Sequence, residues 1–367
     1  MEAAKSSRRA RIHRTAQKRI ENSLRSFVVG LGHSGRDLHL RVLDTIRRRR
    51  RADPALAEVF DETTPLGFDP AATVTDGVEP VASLAEAAVR CDPAATMVHL
   101  CTPPTVRDTV VAELAELGFG KFLIEKPLGT DVATTERVRA LRDRYGLDIA
   151  VVAPWLFSEV TARIKAIMAA GTLGEVRTVS IRQRKPRLQL SLRSRSHTNA
   201  FDVEPPHSVG VVLSLCGDAT MTSAWIRDTP PMRHQVVPDM GGAGMKLRHT
   251  NGTVTDIVSD LDSPFTERRI TVRFANGTVT GSYPINSVDL VGRISVRAAG
   301  ADGLAAPAIE TFDDDAMFAC FVDTYRRFSG TAAGPAVSSL ELNQRVVAVL
   351  AEAKTHCHNT RARAEGR

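Results

Sequence analysis

The chain has 367 residues, too long for one typical hydrophobic core, and this length predicts two domains. Hydrophobic residues make up 43% of it and charged residues 25%, the balance of a soluble globular protein, and no apolar run approaches membrane-spanning length. The formal charge of +6 is concentrated in Lys5, Arg8, Arg9, Arg11, Arg14, Lys18, Arg19 and Arg25 and in the run Arg47–Arg51.

Residues 1–24 read as a solvated, flexible basic extension. It lacks the apolar stretch of a secretory signal and carries no aromatic residues among its arginines, so neither export nor single-strand stacking is expected. No zinc-finger, helix-turn-helix or RNA-binding signature supports a nucleic-acid partner. Cys91, Cys101, Cys216, Cys320 and Cys357 are odd in number and never form C-x-x-C, which fits free thiols in a reducing cytoplasm. His356-Cys357-His358 reads as a surface helix end, because adjacent helical residues point in different directions, and no metal site is expected.

Phe27, Val28 and Val29 supply a short buried strand over residues 26–30 that breaks into Gly30-Leu-Gly-His-Ser-Gly35, the spacing of a dinucleotide-binding turn. Gly30 permits the tight turn, Gly32 lets backbone approach a pyrophosphate, and Gly35 lets the next helix pack against the strand. His33 and Ser34 lie inside this turn and count with its cofactor-binding residues. The helix that follows, residues 36–50, sets Leu38, Val42, Leu43 and Ile46 on one face and points its positive dipole end at the phosphates. A short second strand over residues 64–68 ends at Asp69-Pro70. Residues 81–89 are helical, 97–101 a strand, 105–117 a helix and 122–124 a strand entering Glu125-Lys126-Pro127. A helix over 134–145 and a strand over 147–153 complete a series that predicts a parallel, doubly wound sheet in a domain of residues 25–153. Ligands then bind at the carboxyl ends of the strands, where Gly30, Thr102 and Lys126 fall.

The second half, residues 154–360, reads as a substrate-binding and oligomerisation domain. A helix over residues 159–170 stops at Gly171. Strands follow at 176–183, 220–226, 246–249, 253–259, 268–274 and 278–283, with Asn251-Gly252 and Asn276-Gly277 as hairpin turns, so this sheet is mainly antiparallel. Met317, Phe318, Phe321, Val322, Tyr325 and Phe328 recur at helical spacing as core. Ser338 and Glu341 form a capping box for the last helix.

Gly30-Leu-Gly-His-Ser-Gly35, Cys101-Thr-Pro-Pro104, Glu125-Lys-Pro127, Gly171-Thr-Leu-Gly174 and His207 ten residues before Gly217 occur in that order. The series resembles the Gfo/Idh/MocA family of NAD(P)-dependent oxidoreductases over almost the whole chain after residue 25. The resemblance implies a Rossmann domain followed by an α/β domain whose open antiparallel sheet makes a homodimer or homotetramer. It also implies an enzyme acting on a hydroxyl or carbonyl of a sugar, nucleotide-sugar or cyclitol-like polyol. Lys126 would then steady a developing alkoxide, Glu125 would hold the nicotinamide ribose, and Cys101, Thr102 and Pro103 would line the nicotinamide pocket. His207 would exchange the proton, since an imidazole titrates near neutral pH. Lys126 and His207, distant in sequence, are expected to serve one reacting carbon.

Several positions depart from the family pattern. The aspartate common four residues before the histidine is Val203, leaving Asp202 and Glu204 as candidates to orient His207. The aspartate three residues after it is Gly210, and the arginine before Phe157 is Leu156, beside Trp155, a candidate substrate contact. These departures keep a non-catalytic NAD(P)-binding sensor open as the alternative. Asp69 favours NAD by accepting ribose hydroxyls and repelling a 2′-phosphate; the rival is a second strand elsewhere, with an arginine of 47–51 receiving the phosphate of NADP. Arg182, Arg184, Lys185, Arg187, Arg193 and Arg195 lead toward His207, and Arg184 and Arg187 are the candidates for an anionic substrate group.

Overall fold

Residues 23–71, 76–193, 197, 199–232, 235–299, 306–334 and 336–364 are described by the structure, a computed structural model. The basic extension up to residue 22 and Arg195 lie outside them. The chain divides into two units, one ending at Val152 and resuming over Cys320–Leu340, the other holding Ala153–Ala319 and the chain from Glu341. Cys320–Leu340, expected with the second domain, goes with the first because Cys320, Phe321 and Tyr325 are buried there. The Tyr325 ring stacks on Phe60 at 3.9 Å.

In the first unit, β1 (Arg25–Val29) leads through the glycine turn into a helix that is π-wound over Ser34–Leu40 and continues as α1 (Arg41–Arg50). Then come α2 (Pro54–Val59), β2 (Leu66–Phe68), β3 (Glu79–Pro80) and α3 (Leu84–Arg90). The series continues with β4 (Thr96–Leu100), α4 (Arg107–Glu116), β5 (Lys121–Ile124), α5 (Val132–Tyr145) and β6 (Asp148–Val151). The strands pair in parallel in the order β3-β2-β1-β4-β5-β6. Every residue of β4 is buried, as in a strand covered on both faces. The strand order reverses at β1, so a crevice opens at the carboxyl ends of β1 and β4.

The second unit begins with a 3-10 turn, Pro154–Phe157, and α6 (Glu159–Ala170), which Gly171 ends at φ +66°. It continues with β7 (Val176–Pro186), α7 (Leu188–Arg193), α8 (Pro205–Cys216), β8 (Ala219–Arg227), β9 (Gly242–His249) and β10 (Val254–Asp260). After these come β11 (Asp262–Phe274), β12 (Gly277–Ser282), β13 (Val291–Ala298) and β14 (Ala308–Asp313). Helix α9 (Ala316–Phe328) carries the chain back to the first unit, and α10 (Leu340–Ala364) closes it. The eight strands run β14-β13-β12-β11-β7-β10-β9-β8, antiparallel except for the β7–β10 pair. Along β7, Val179, Ile181 and Gln183 face the core while Arg182 and Arg184 face the other side. Cys357 is buried on α10, with His356 and His358 exposed either side. No helix among the described residues is long and apolar enough to cross a membrane.

Candidate functional site

The glycine turn is built from the strand end outward. Gly30 has φ +93°, and a Cβ there would stand 2.8 Å from the Cys101 carbonyl carbon and 2.9 Å from Thr102 N. A Cβ on Gly35 would overlap the Gly30 carbonyl oxygen, so the helix starts directly against the strand end. At Gly32 a Cβ would meet no atom within 4 Å, leaving its backbone open to an incoming group. Asp69 fastens the turn: its Oδ2 accepts from Leu31 N at 2.7 Å and its Oδ1 from Ala71 N at 2.8 Å. The second strand therefore does end at Asp69, and α2, capped by Asp53 before Pro54, takes up the extra chain between turn and strand. Of the arginine run, Arg50 binds the Phe60 carbonyl and Glu62, Arg47 reaches Thr64, and Arg48 pairs with Asp44. His33 is exposed and pairs with Asp37 at 2.7 Å; Ser34 is half-buried at the helix start.

Two further motif segments meet this turn. Cys101 N donates to Val29 O at 2.7 Å, and Glu125 N donates to Leu100 O at 2.9 Å. Arg107, 3% exposed at the start of α4, locks them together. Its Nε and Nη2 donate to Thr102 O at 3.0 and 2.9 Å, and its Nη1 donates to the carbonyls of Glu125 and Pro127, across the cis Lys126–Pro127 peptide. Burial brings the Arg107 pKa down to about 10 against the opposing pull of Glu125 and Cys101. Burial and the Glu125 charge push the Cys101 thiol well above its usual range, so it stays protonated and inert. Among the described residues, buried Thr102 Oγ1 has no hydrogen-bond partner.

Glu125 ends a buried polar chain that sequence reasoning missed. Its Oε1 meets His39 Nε2 at 3.1 Å; His39 Nδ1 meets His99 Nδ1 at 2.9 Å; His99 Nε2 meets the Tyr325 hydroxyl at 2.8 Å. That hydroxyl meets Ser26 Oγ at 2.6 Å. The second Glu125 oxygen accepts from Lys126 N at 3.0 Å. Burial alone would raise the Glu125 pKa, but the His39 hydrogen bond and the charges of Lys126 and Arg107 oppose it, and the carboxyl is held below its usual range. The π-winding brings His39 and Leu40 inward and leaves Leu38, expected on the core face, only half-buried. An inserted residue of this kind escapes a 3.6-residue periodicity, and such segments often sit at functional sites. The available signal was a histidine inside each apolar stretch.

His207 and the other substrate candidates lie in the second unit, whereas Lys126 lies in the first. Pro205 and Pro206 open α8, where their missing N–H groups cost nothing, and His207 follows in the same first turn. Its ring stacks over Trp155 (5.9 Å, 21°), which stacks on Tyr283 (4.1 Å, 17°). Thr161 Oγ1 donates to Trp155 O at 2.6 Å and meets the Tyr283 hydroxyl at 2.9 Å. Glu204, buried, takes Lys185 Nζ at 2.8 Å and Gln183 Nε2 at 3.2 Å, and Ser208 Oγ donates to Gln183 Oε1 at 2.6 Å. Asp202 instead pairs with Lys354 at 2.6 Å.

The two candidate arginines separate. Arg187 is buried, donates to Ser191 Oγ at 3.1 Å, and has its pKa lowered by burial against the pull of Glu204. Strand alternation turns Arg184 to the opposite face of β7 from Gln183. There it pairs with Glu267 at 3.4 Å and covers the Phe265 ring at 5.0 Å. Lys185, on the Gln183 side, joins the Glu204 cluster in its place.

No family model and no curated protein matches the sequence. Among solved structures the chain is similar to the 3-ketoreductase KijD10 from Actinomadura kijaniata, in complex with NADP and TDP-benzene: 17% identity, 92% of this chain and 98% of that one, TM-score 0.70. It is also similar to the WlbA dehydrogenase from Bordetella pertussis, in complex with NADH and UDP-GlcNAcA: 17% identity, 92% and 97% coverage, TM-score 0.69. These likenesses establish the class of fold: a Rossmann-like parallel sheet joined to a mostly antiparallel eight-stranded sheet.

Proposed function

We propose that this chain is an NAD(P)-dependent oxidoreductase of the Gfo/Idh/MocA type, the first unit holding the cofactor and the second the substrate. The observation that carries the reading is the meeting of three separate motif segments, Gly30–Gly35, Cys101–Pro104 and Glu125–Pro127, at the carboxyl edge of one parallel sheet, tied together by Asp69 and Arg107. The residues fit a dinucleotide. Gly32 offers open backbone for a pyrophosphate, and buried Thr102 Oγ1 has a hydrogen bond to give. When bound, the nicotinamide supplies the hydride acceptor or donor. The structural neighbours are a 3-ketoreductase in complex with NADP and TDP-benzene and a dehydrogenase in complex with NADH and UDP-GlcNAcA, which supports a sugar, nucleotide-sugar or cyclitol-like substrate.

Glu125 holds the nicotinamide ribose, and Cys101, Thr102 and Pro103 line the ring site. Lys126 steadies charge developing on the substrate oxygen. His207, its ring held over Trp155, exchanges the proton. Glu204 is the better candidate than Asp202 to order that region, since its main-chain oxygen accepts from His207 N and its carboxylate joins the Gln183–Ser208 cluster beside it, whereas Asp202 pairs with Lys354. Arg187 meets an anionic group, whereas Arg184 belongs to the outer sheet face. That face, where Trp225 is 43% exposed, is the surface we assign to a homodimer or homotetramer. None of the described cysteines is in a disulfide, and we assign the chain to the cytoplasm. Asp69 at the end of β2 favours NAD over NADP.

Titration with NADH and NADPH, followed by turnover on a panel of sugars and nucleotide sugars, tests the reading. Lys126→Ala should retain nucleotide binding and lose turnover; Arg187→Ala, and not Arg184→Ala, should raise KM for anionic substrates. A protein that binds neither nucleotide refutes the proposal. Binding without turnover on any substrate of the panel favours the sensor alternative.

A further inference from the structure

Ser26, Tyr325, His99, His39 and Glu125 form a continuous contact series inside the first unit, and both imidazoles and the tyrosine are fully buried. Each contact is one hydrogen bond and holds one proton, so the series has a definite proton order. A carboxylate only accepts, which puts a proton on His39 Nε2. With His39 neutral it has a single N–H, so its Nδ1 accepts and His99 Nδ1 carries the next proton. His99 Nε2 then accepts from the Tyr325 hydroxyl, whose oxygen accepts from Ser26. All four donors point the same way, toward Glu125.

We propose that His39, His99 and Tyr325 are positioning residues, a one-way hydrogen-bond chain that orients the Glu125 carboxylate and keeps it ionised for the dinucleotide. The functional part of this rests on the cofactor reading given above; the proton order does not. Burial presses the His99 pKa well below the usual imidazole range, which agrees with a neutral imidazole in the middle of the chain. The other groups facing Glu125 are Lys126, whose N–H binds Oε2, Arg107, on its main-chain carbonyl, and the protonated Cys101 thiol. Among the described residues His39 is the group that meets Oε1, at 3.1 Å, and it sets the direction of that oxygen. A charged His39 would reverse every bond as far as Ser26, because its Nδ1 would then donate to His99.

The proton order is read by ¹⁵N NMR of the histidine-labelled full chain without nucleotide, at about pH 7.5, where an unperturbed imidazole is neutral. Protonated-type shifts at His39 Nε2 and His99 Nδ1 are expected; His39 as the Nδ1–H tautomer, or doubly protonated, overturns the proposal. NADH titration then tests the consequence. His39→Leu should weaken binding about tenfold, the loss of one hydrogen bond to a charged group. His39→Gln, which returns an amide N–H toward Glu125, should recover most of that loss. Tyr325→Phe, which removes the donor to His99 Nε2, should scramble the His99 tautomer. Wild-type affinity in His39→Leu, or a Gln variant no better than Leu with the same melting temperature, overturns the positioning role. Wild-type protein that binds neither NADH nor NADPH refutes the cofactor reading alone, and the ring shifts still decide the proton order.

Discussion

Gly32 and Gly35 sit three residues apart in one turn, yet alanine should act on them through different physics. At Gly35 the new methyl would overlap the Gly30 carbonyl oxygen, and both partners are backbone, so strand end and helix start must separate. Overpacking of this kind costs about 1–3 kcal/mol. In a unit of this size each kcal/mol lowers Tm by about 2–4 °C, so a fall of roughly 2–12 °C is expected. At Gly32 the methyl meets nothing within 4 Å, and Tm should stay within about 1–2 °C of wild type. Dinucleotide affinity is where Gly32→Ala should show. A methyl that pushes a phosphate off one backbone N–H removes a charge-assisted bond worth about 1.5–3 kcal/mol, a roughly 10- to 100-fold rise in Kd. Thermal melts and NADH fluorescence titrations on the two variants read both quantities. Gly32→Ala with wild-type affinity would remove the turn as the pyrophosphate seat, and an unshifted Tm in Gly35→Ala would show that the overlap relaxes cheaply.

Stability should fall in mild acid. His99 is neutral when folded because burial depresses its pKa, whereas the unfolded chain takes up that proton near pH 6.5. Its contribution is therefore complete above about pH 6.5 and declines by up to about 1.4 kcal/mol per pH unit below it. His249 is depressed by burial too and adds the same sign, while Glu125, held low, keeps its contribution until the pH drops beneath the ordinary carboxylate range. Urea midpoints that stay level from about pH 7.5 to 5 would contradict this. Gln183→Leu should cost about 2–4 kcal/mol by urea denaturation, because it strands the Ser208 hydroxyl and one Glu204 oxygen in the core; a change under about 0.5 kcal/mol would mean that both find other partners. Asp69→Asn keeps an oxygen for Leu31 N but loses the charge, so the ratio of NADPH to NADH affinity should rise about tenfold in paired titrations, and an unchanged ratio would detach Asp69 from cofactor choice.

Much of the first sheet could be read from its punctuation. The glycine spacing, the apolar run of β4 and the proline after Lys126 are local signals, and the strands they mark pair in the order a doubly wound sheet requires. Asp69 was legible as a strand end but looked misplaced, since α2 announces itself only through Asp53 and Pro54 ahead of a short apolar pair. Strand β14 escaped because nearly all of it is exposed, leaving no alternation to detect. Gly252 takes the left-handed turn that Asn-Gly predicts, at φ +85°. Gly277 serves a different need: a Cβ there would stand 2.6 Å from the Arg297 carbonyl oxygen. Arg184 and Lys185 show the limit of composition, since neighbouring cations on one strand go to opposite faces and only one joins the Glu204 cluster. Arg107 and the two buried histidines were invisible for a related reason. Charged or polar residues are expected outside unless partnered, and their partners come from distant segments.

Tyr325 is contributed by the segment that resumes the first unit after Ala153–Ala319, the larger part of the second, has been laid down. A ribosome must therefore translate more than three hundred codons before the pocket between Phe60 and His99 receives its ring. Until then the nascent first unit has its sheet but lacks a wedge, and His99 Nε2 and Ser26 lack the phenol that joins them. A fragment released at Val152 should consequently be a poor substitute for that unit, prone to proteases at the very strands that look most self-sufficient.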